Sequence, residues 1–128
     1  MKIGYVFTFI ILTGIVASLS SCAKEPQKDV SFSLQIQPII QARCIECHAT
    51  GGQGFEASGL NMETYESLMN GTKFGPVIKP GDAISSTLTR LIEGKADPSI
   101  RMPHGKEPIT DEQIKLIKEW INQGAKNN

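Results

Sequence analysis

Residues 31–48 read SFSLQIQPIIQARCIECH, and this stretch decides how the rest of the chain is arranged. Its apolar residues fall at Phe32, Ile36, Ile39 and Ile40, the i, i+4, i+7, i+8 stripe of a helix with one buried face. Pro38 interrupts the stripe. The helix either kinks there or begins its regular part there, where a missing N–H costs nothing. It is predicted to run to about Cys47 and to stop before Gly51-Gly52.

The end of that helix carries Cys44-Ile45-Glu46-Cys47-His48, a C-x-x-C-H. Residues three apart on a helix share a side, so two thiols can reach the two vinyl groups along one porphyrin edge. His48 falls close to the same face and can turn its ring over the porphyrin to supply a nitrogen to iron. The spacing is the attachment signature of c-type haem. Three other uses of these residues compete. A structural zinc site needs four Cys or His ligands. Apart from Cys22, the chain offers Cys44, Cys47, His48 and His104, and adjacent Cys47 and His48 rarely bind one metal together. A redox C-x-x-C belongs in a βαβ context that the sequence lacks, and a plain Cys44–Cys47 disulfide leaves His48 without a purpose. One covalent haem c is the expected cofactor, and Glu46 reads as a solvent-facing helix residue.

A second axial ligand is expected from Met62, Met69, Met102 or His104. Met62 and Met69 lie beside helical apolar residues, where Met usually fills gaps in a core. Met102 lies instead in an irregular stretch, as Arg101-Met102-Pro103, where the following proline favours an extended backbone. Thioether opposite imidazole favours ferrous iron and raises the potential. His104 is the rival, and bis-imidazole ligation or an open position are the corresponding alternatives.

Outward from the motif, Gln53 to Asn61 reads as a Gly-rich loop, followed by a short helix near Thr64 to Met69 that stops at Gly71. Lys73 to Gly81 is expected to be irregular. Asp82 is expected to cap a helix with the stripe Ile84, Leu88, Leu91 and Ile92, ending at Gly94. Lys95 to Ile109, with three prolines, is a second irregular stretch. Thr110 and Gln113 form a capping box for a last helix, whose apolar face is Ile114, Leu116, Ile117, Trp120 and Ile121. No strand or hairpin pattern emerges, so the class is all-α, with three to five short helices and long loops.

Those loops need something to wrap. Three of the eight aromatic residues lie within the first ten positions, leaving five for the body, a thin core for a chain with 12 Gly and 7 Pro. A haem supplies the missing apolar mass. The 13 Lys and Arg balance 13 Asp and Glu, with no basic stripe, which argues against nucleic-acid binding.

The N-terminus reads as an address. Met1-Lys2 precedes an uncharged apolar run, Ile3 to Leu19, and then Ser20-Ser21-Cys22. Leu19-Ser20-Ser21-Cys22 resembles the lipobox of bacterial lipoproteins, which implies cleavage before Cys22 and lipid on its thiol. A retained membrane anchor or an unlipidated cleavage after Ser18-Leu19-Ser20 are the alternatives. The expected division is a signal peptide over 1–21, a lipid-anchored polar tether over 22–30, and the functional domain over 31–128.

The body resembles the small single-haem cytochromes c of bacterial envelopes. The likeness rests on Ile36-Gln37-Pro38-Ile39-Ile40 leading into Cys44 to His48, on Lys79-Pro80-Gly81-Asp82, and on Arg101-Met102-Pro103. Thr110-Asp111-Glu112-Gln113 with Trp120-Ile121 completes it. The resemblance implies first and last helices crossing near the haem edge, with His48 and Met102 as axial ligands. It also implies a loop carbonyl that accepts the other ring N–H of His48, for which Gly75-Pro76 is a candidate source. Arg90 and Arg101 are candidates to pair with haem propionates, with solvated surface arginines as the default. The implied role is single-electron transfer, not enzyme catalysis, between redox proteins of the cell envelope, at the periplasmic or outer face. The alternatives are a haem sensor or peroxidase-like protein with a displaceable distal ligand, or a haem-free lipoprotein module.

Overall fold

A computed structural model describes residues 28–128, so the expected signal peptide, Cys22 and most of the expected tether lie outside the described residues. The described chain is all-α. Its helices are α1 (Gln37–Arg43), α2 (Ile45–His48), α3 (Gln53–Ser58), α4 (Tyr65–Asn70), α5 (Thr87–Ile92) and α6 (Asp111–Asn122). That is one more than the upper end of the expected range, because the region expected to be one helix divides and a loop contains a helix. None of the described helices is long and apolar enough to cross a membrane.

The first helical region begins as a wide turn at Phe32–Ile36, where Ser31 caps the Leu34 N–H. Regular α-helix follows with Pro38 in its first turn, breaks at Cys44, and resumes as α2. The expected stripe holds throughout: Phe32, Ile36, Ile39 and Ile40 are all buried. They pack with Leu68, Leu88, Ile92, Ile117, Trp120 and Ile121 in one core. Three aromatic rings centre it. Phe32 lies 5.2 Å from Tyr65 and 5.4 Å from Trp120, the first pair edge to face.

Helix α6 is the longest, and Thr110 and Gln113 form both halves of its capping box. Its C-terminal end holds the irregular segment before α5: the Gly81 N–H donates to the Ile121 carbonyl (2.7 Å), and Ala83 N–H to Asn122 Oδ1 (2.9 Å). Thr64 and Ser67 form a second capping box on α4, which ends at Gly71 with φ +80°. A Cβ at Gly71 would come within 2.5 Å of the Gly75 carbonyl oxygen, so this crossing of backbones requires glycine.

Two expectations fail. The stretch Gln53 to Asn61 is not all loop, because Gln53–Ser58 is helical and closes at Gly59 with φ +77°. Asp82 does not cap α5. It accepts from the Ser85 N–H in a preceding turn (3.0 Å), and the helix starts only after Ser86. Ile84 therefore leaves the stripe and stands 82% exposed. The inward places are taken by Ser86 and Thr89, whose hydroxyls satisfy the turn's carbonyls: Ser86 donates to Asp82 O (2.8 Å), and Thr89 to Ala83 O and Ser86 O.

Candidate functional site

The break between α1 and α2 falls on Cys44, at φ −122°. The His48 N–H still bonds back to the Cys44 carbonyl (3.0 Å), so one short turn presents both thiols and the imidazole. Cys44 and Cys47 are half-buried free thiols, not a disulfide. Burial pushes the Cys44 thiol up to about 11, while neighbouring Arg43 pulls it down. A thiol so protonated is a poor nucleophile for disulfide exchange, unlike the acidic thiol of a redox C-x-x-C.

His48 is only 8% exposed. Its Nδ1 lies 3.3 Å from the Leu60 carbonyl oxygen, which leaves Nε2 as the free ring nitrogen. Burial lowers its pKa, opposed by the bond to Leu60, so the ring is neutral and its Nε2 lone pair available. The candidate source Gly75-Pro76 is thus corrected to Leu60. The Gly75 carbonyl is occupied in its own turn, accepting from Thr72 N–H (2.9 Å) and Thr72 Oγ1 (3.0 Å).

The loop supplying that carbonyl is closed around the histidine. The Met62 N–H donates to the His48 carbonyl (2.8 Å). Glu63 accepts from Thr50 N–H, Thr50 Oγ1 and Asn61 Nδ2, and these bonds hold its carboxyl below the usual range. Gly54 in α3 lies against the ring: a Cβ there would be 2.7 Å from His48 Cε1 and 2.9 Å from Nε2. Leu60, Glu63 and Gly54 escaped the sequence reading. Only Gly54 left a signal there, as part of a Gly-rich run after the motif.

On the other side of the motif, Met102 is half-buried against the core, with its N–H donating to the Leu91 carbonyl (3.2 Å). His104, two residues on, is exposed, as are Arg90 and Arg101. The Arg101 guanidinium lies over Gly94, where a Cβ would approach its Nε to 3.1 Å. Met62 is buried in the core, and Met69 packs against it, as gap-filling methionines do. Glu46 is exposed, as expected, and pairs with Lys106.

This donor set fits covalent haem: two half-buried free thiols on one turn, and a neutral imidazole whose Nδ1 is engaged and whose Nε2 is not. Comparison with known proteins agrees. A family model described as planctomycete cytochrome C matches residues 44–104, from the first cysteine of the motif to the residue after Pro103. Over that span the chain is similar to cytochromes c. It is also similar to hydrazine synthase subunit alpha of Kuenenia stuttgartiensis, 27% identical over 128 aligned positions that cover 79% of this chain. The chain spans only 16% of the length of that curated relative. No solved structure matches it. The likeness to a cytochrome C family model points to haem-based electron transfer as the coarse function and to an extracytoplasmic compartment as the coarse location.

Proposed function

We propose that the 31–128 domain carries one haem c, bound through Cys44 and Cys47 and ligated by His48 and Met102, and works as a single-electron carrier. The observation that carries this reading is the bond between His48 Nδ1 and the Leu60 carbonyl, which orients the ring and leaves Nε2 free to ligate iron. When bound, the haem supplies a one-electron ferric/ferrous couple. The chain's own residues bury the site, hold the imidazole, and present a soft thioether that raises the potential. Burial and anchoring favour Met102 over exposed His104.

The carrier is proposed to be tethered to the cell envelope by lipid on Cys22, through residues 22–30 as a polar spacer, after removal of 1–21. Its partners would be redox proteins of that compartment. The likeness to an enzyme subunit covers too little of that subunit to transfer its chemistry.

The test is a visible spectrum of protein matured in an exporting host, oxidised and reduced, before and after acid-acetone extraction. Colour that survives extraction with sharp low-spin bands is expected. Met102→Ala should lose the weak far-red absorption of ferric Met ligation and lower the potential, whereas His104→Ala should change neither. The opposite pattern transfers ligation to His104, and colourless protein despite verified haem supply refutes the reading. Mass analysis of the mature N-terminus tests the tether: diacylglycerol on Cys22 is expected, and a free amino-terminal residue after Ser20 refutes it.

A further inference from the structure

The loop from Met102 to Ile109 contains no helix, and its residues from His104 to Pro108 are exposed. It is held at four places. The Met102 N–H bonds to Leu91 at one end, and Ile109 is buried at the other. The third hold comes from across the site. Arg43 Nη2 donates to both the Glu107 carbonyl (2.6 Å) and the Pro108 carbonyl (2.8 Å), 64 and 65 positions away. Arg43 is the last residue of α1, immediately before Cys44. Lys106 adds an ion pair to Glu46, inside the motif itself. Ala42, Arg43, Pro103, Lys106 and Glu107 line a crevice of about 240 Å³ between the two segments.

We propose that Arg43 is a positioning residue for the distal ligand: its guanidinium pins the Met102 loop to the helix end that carries the haem-attachment cysteines, and so sets how often Met102 leaves the iron. This rests on the reading of Met102 as that ligand. The physical basis is the topology. One segment bears both thiols and the proximal histidine, the other bears the thioether, and no regular secondary structure joins them. Two carbonyls held by one planar cation join them directly. Hydrogen bonds from a charged donor are the stronger kind, and to neutral carbonyls they resist salt better than the exposed Lys106–Glu46 pair. Without these two bonds, only the exposed Lys106–Glu46 pair holds the span between Met102 and Ile109, and the loop samples open positions more often. A second ligand then binds more tightly in apparent terms, in proportion to the open fraction.

The experiment titrates holoprotein with imidazole and records the far-red Met–iron band, the reduction potential and hydrogen exchange at the Met102 amide. The variants are Arg43→Gln and Arg43→Lys. The second keeps the charge and the aliphatic stem but is shorter and lacks the terminal Nη2 that makes both bonds, so it guards against simple misfolding. Both are expected to keep covalent haem, to bind imidazole roughly tenfold more tightly, and to exchange the Met102 amide faster. Their potential should fall towards that of Met102→Ala. Unchanged imidazole affinity and Met band in both variants overturns the role of Arg43 while leaving Met102 ligation standing. If wild type lacks the Met band, or binds imidazole as tightly as Met102→Ala does, the ligand assignment itself fails, and the role of Arg43 falls with it.

Discussion

Gly54→Ala is the sharpest probe of the proximal side. A Cβ at position 54 would lie 2.7 Å from His48 Cε1, 2.9 Å from Nε2 and 3.0 Å from the Cys47 carbonyl oxygen. Ordinary van der Waals contact begins near 3.4 Å, so the closest approach is about 0.7 Å short. The imidazole cannot absorb this cheaply, because it is buried and its Nδ1 bond to Leu60 is already 3.3 Å long. Movement the other way meets the backbone of the attachment motif. Overpacking of this kind costs about 1–3 kcal/mol. Gly54 is helical, and replacing helical glycine by alanine returns up to about 1 kcal/mol, less in a first turn. The net loss is therefore about 0–3 kcal/mol, a fall in Tm of up to roughly 15 °C for a domain of this size.

The functional effect should exceed the loss of stability, because the clash falls on the ring and not on a remote part of the core. Denaturant unfolding of the holoprotein, followed at the Soret band, measures the first, and spectroelectrochemistry the second. A shifted potential and broadened low-spin bands are expected, with Glu56→Ala on the same helix as an exposed control within about 0.5 kcal/mol of wild type. A Gly54→Ala protein at least as stable as wild type, with an unchanged potential, would refute the placement of α3 against His48.

Two further expectations concern the frame that holds the site. Thr89→Val removes the buried hydroxyl that serves the Ala83 and Ser86 carbonyls and should cost about 1–3 kcal/mol; thermal unfolding equal to wild type would contradict it. Glu93 at the end of α5 accepts from Lys118 of α6 (2.6 Å) and from Lys95 (3.0 Å), and the Lys118 hydrogen bond, then that of Lys95, holds its carboxyl below 4.5. With the folded value below the unfolded one, its stabilisation is present above about pH 4.5 and lost as pH falls through the folded value. Glu93→Gln should thus cost up to about 1 kcal/mol near neutral pH, and the gap should close in acid; a gap that is constant with pH sinks the ion-pair account.

The features legible from residues alone are those decided within one turn of chain. The spacing of Cys44, Cys47 and His48 is local, and so are the Thr110–Gln113 capping box, the stripe from Phe32 to Ile40, and the stop at Gly71. Each follows from helical period or from a side chain reaching a backbone group three residues away. Helix α5 shows where that reasoning runs out. Ile84 fits its stripe by period, yet Ser86 and Thr89 take the buried places, because the turn beneath them has carbonyls that need donors.

What only the tertiary structure decided is how the motif is held. The carbonyl that orients His48 belongs to Leu60, 12 residues on, and the fork that grips the Met102 loop belongs to Arg43, 64 residues before its first carbonyl. Backbone carbonyls are present at every residue, so sequence carries no mark of which one will be used. Side-chain chemistry declares what this protein can bind; the path of the backbone selects the partners that hold those side chains in place.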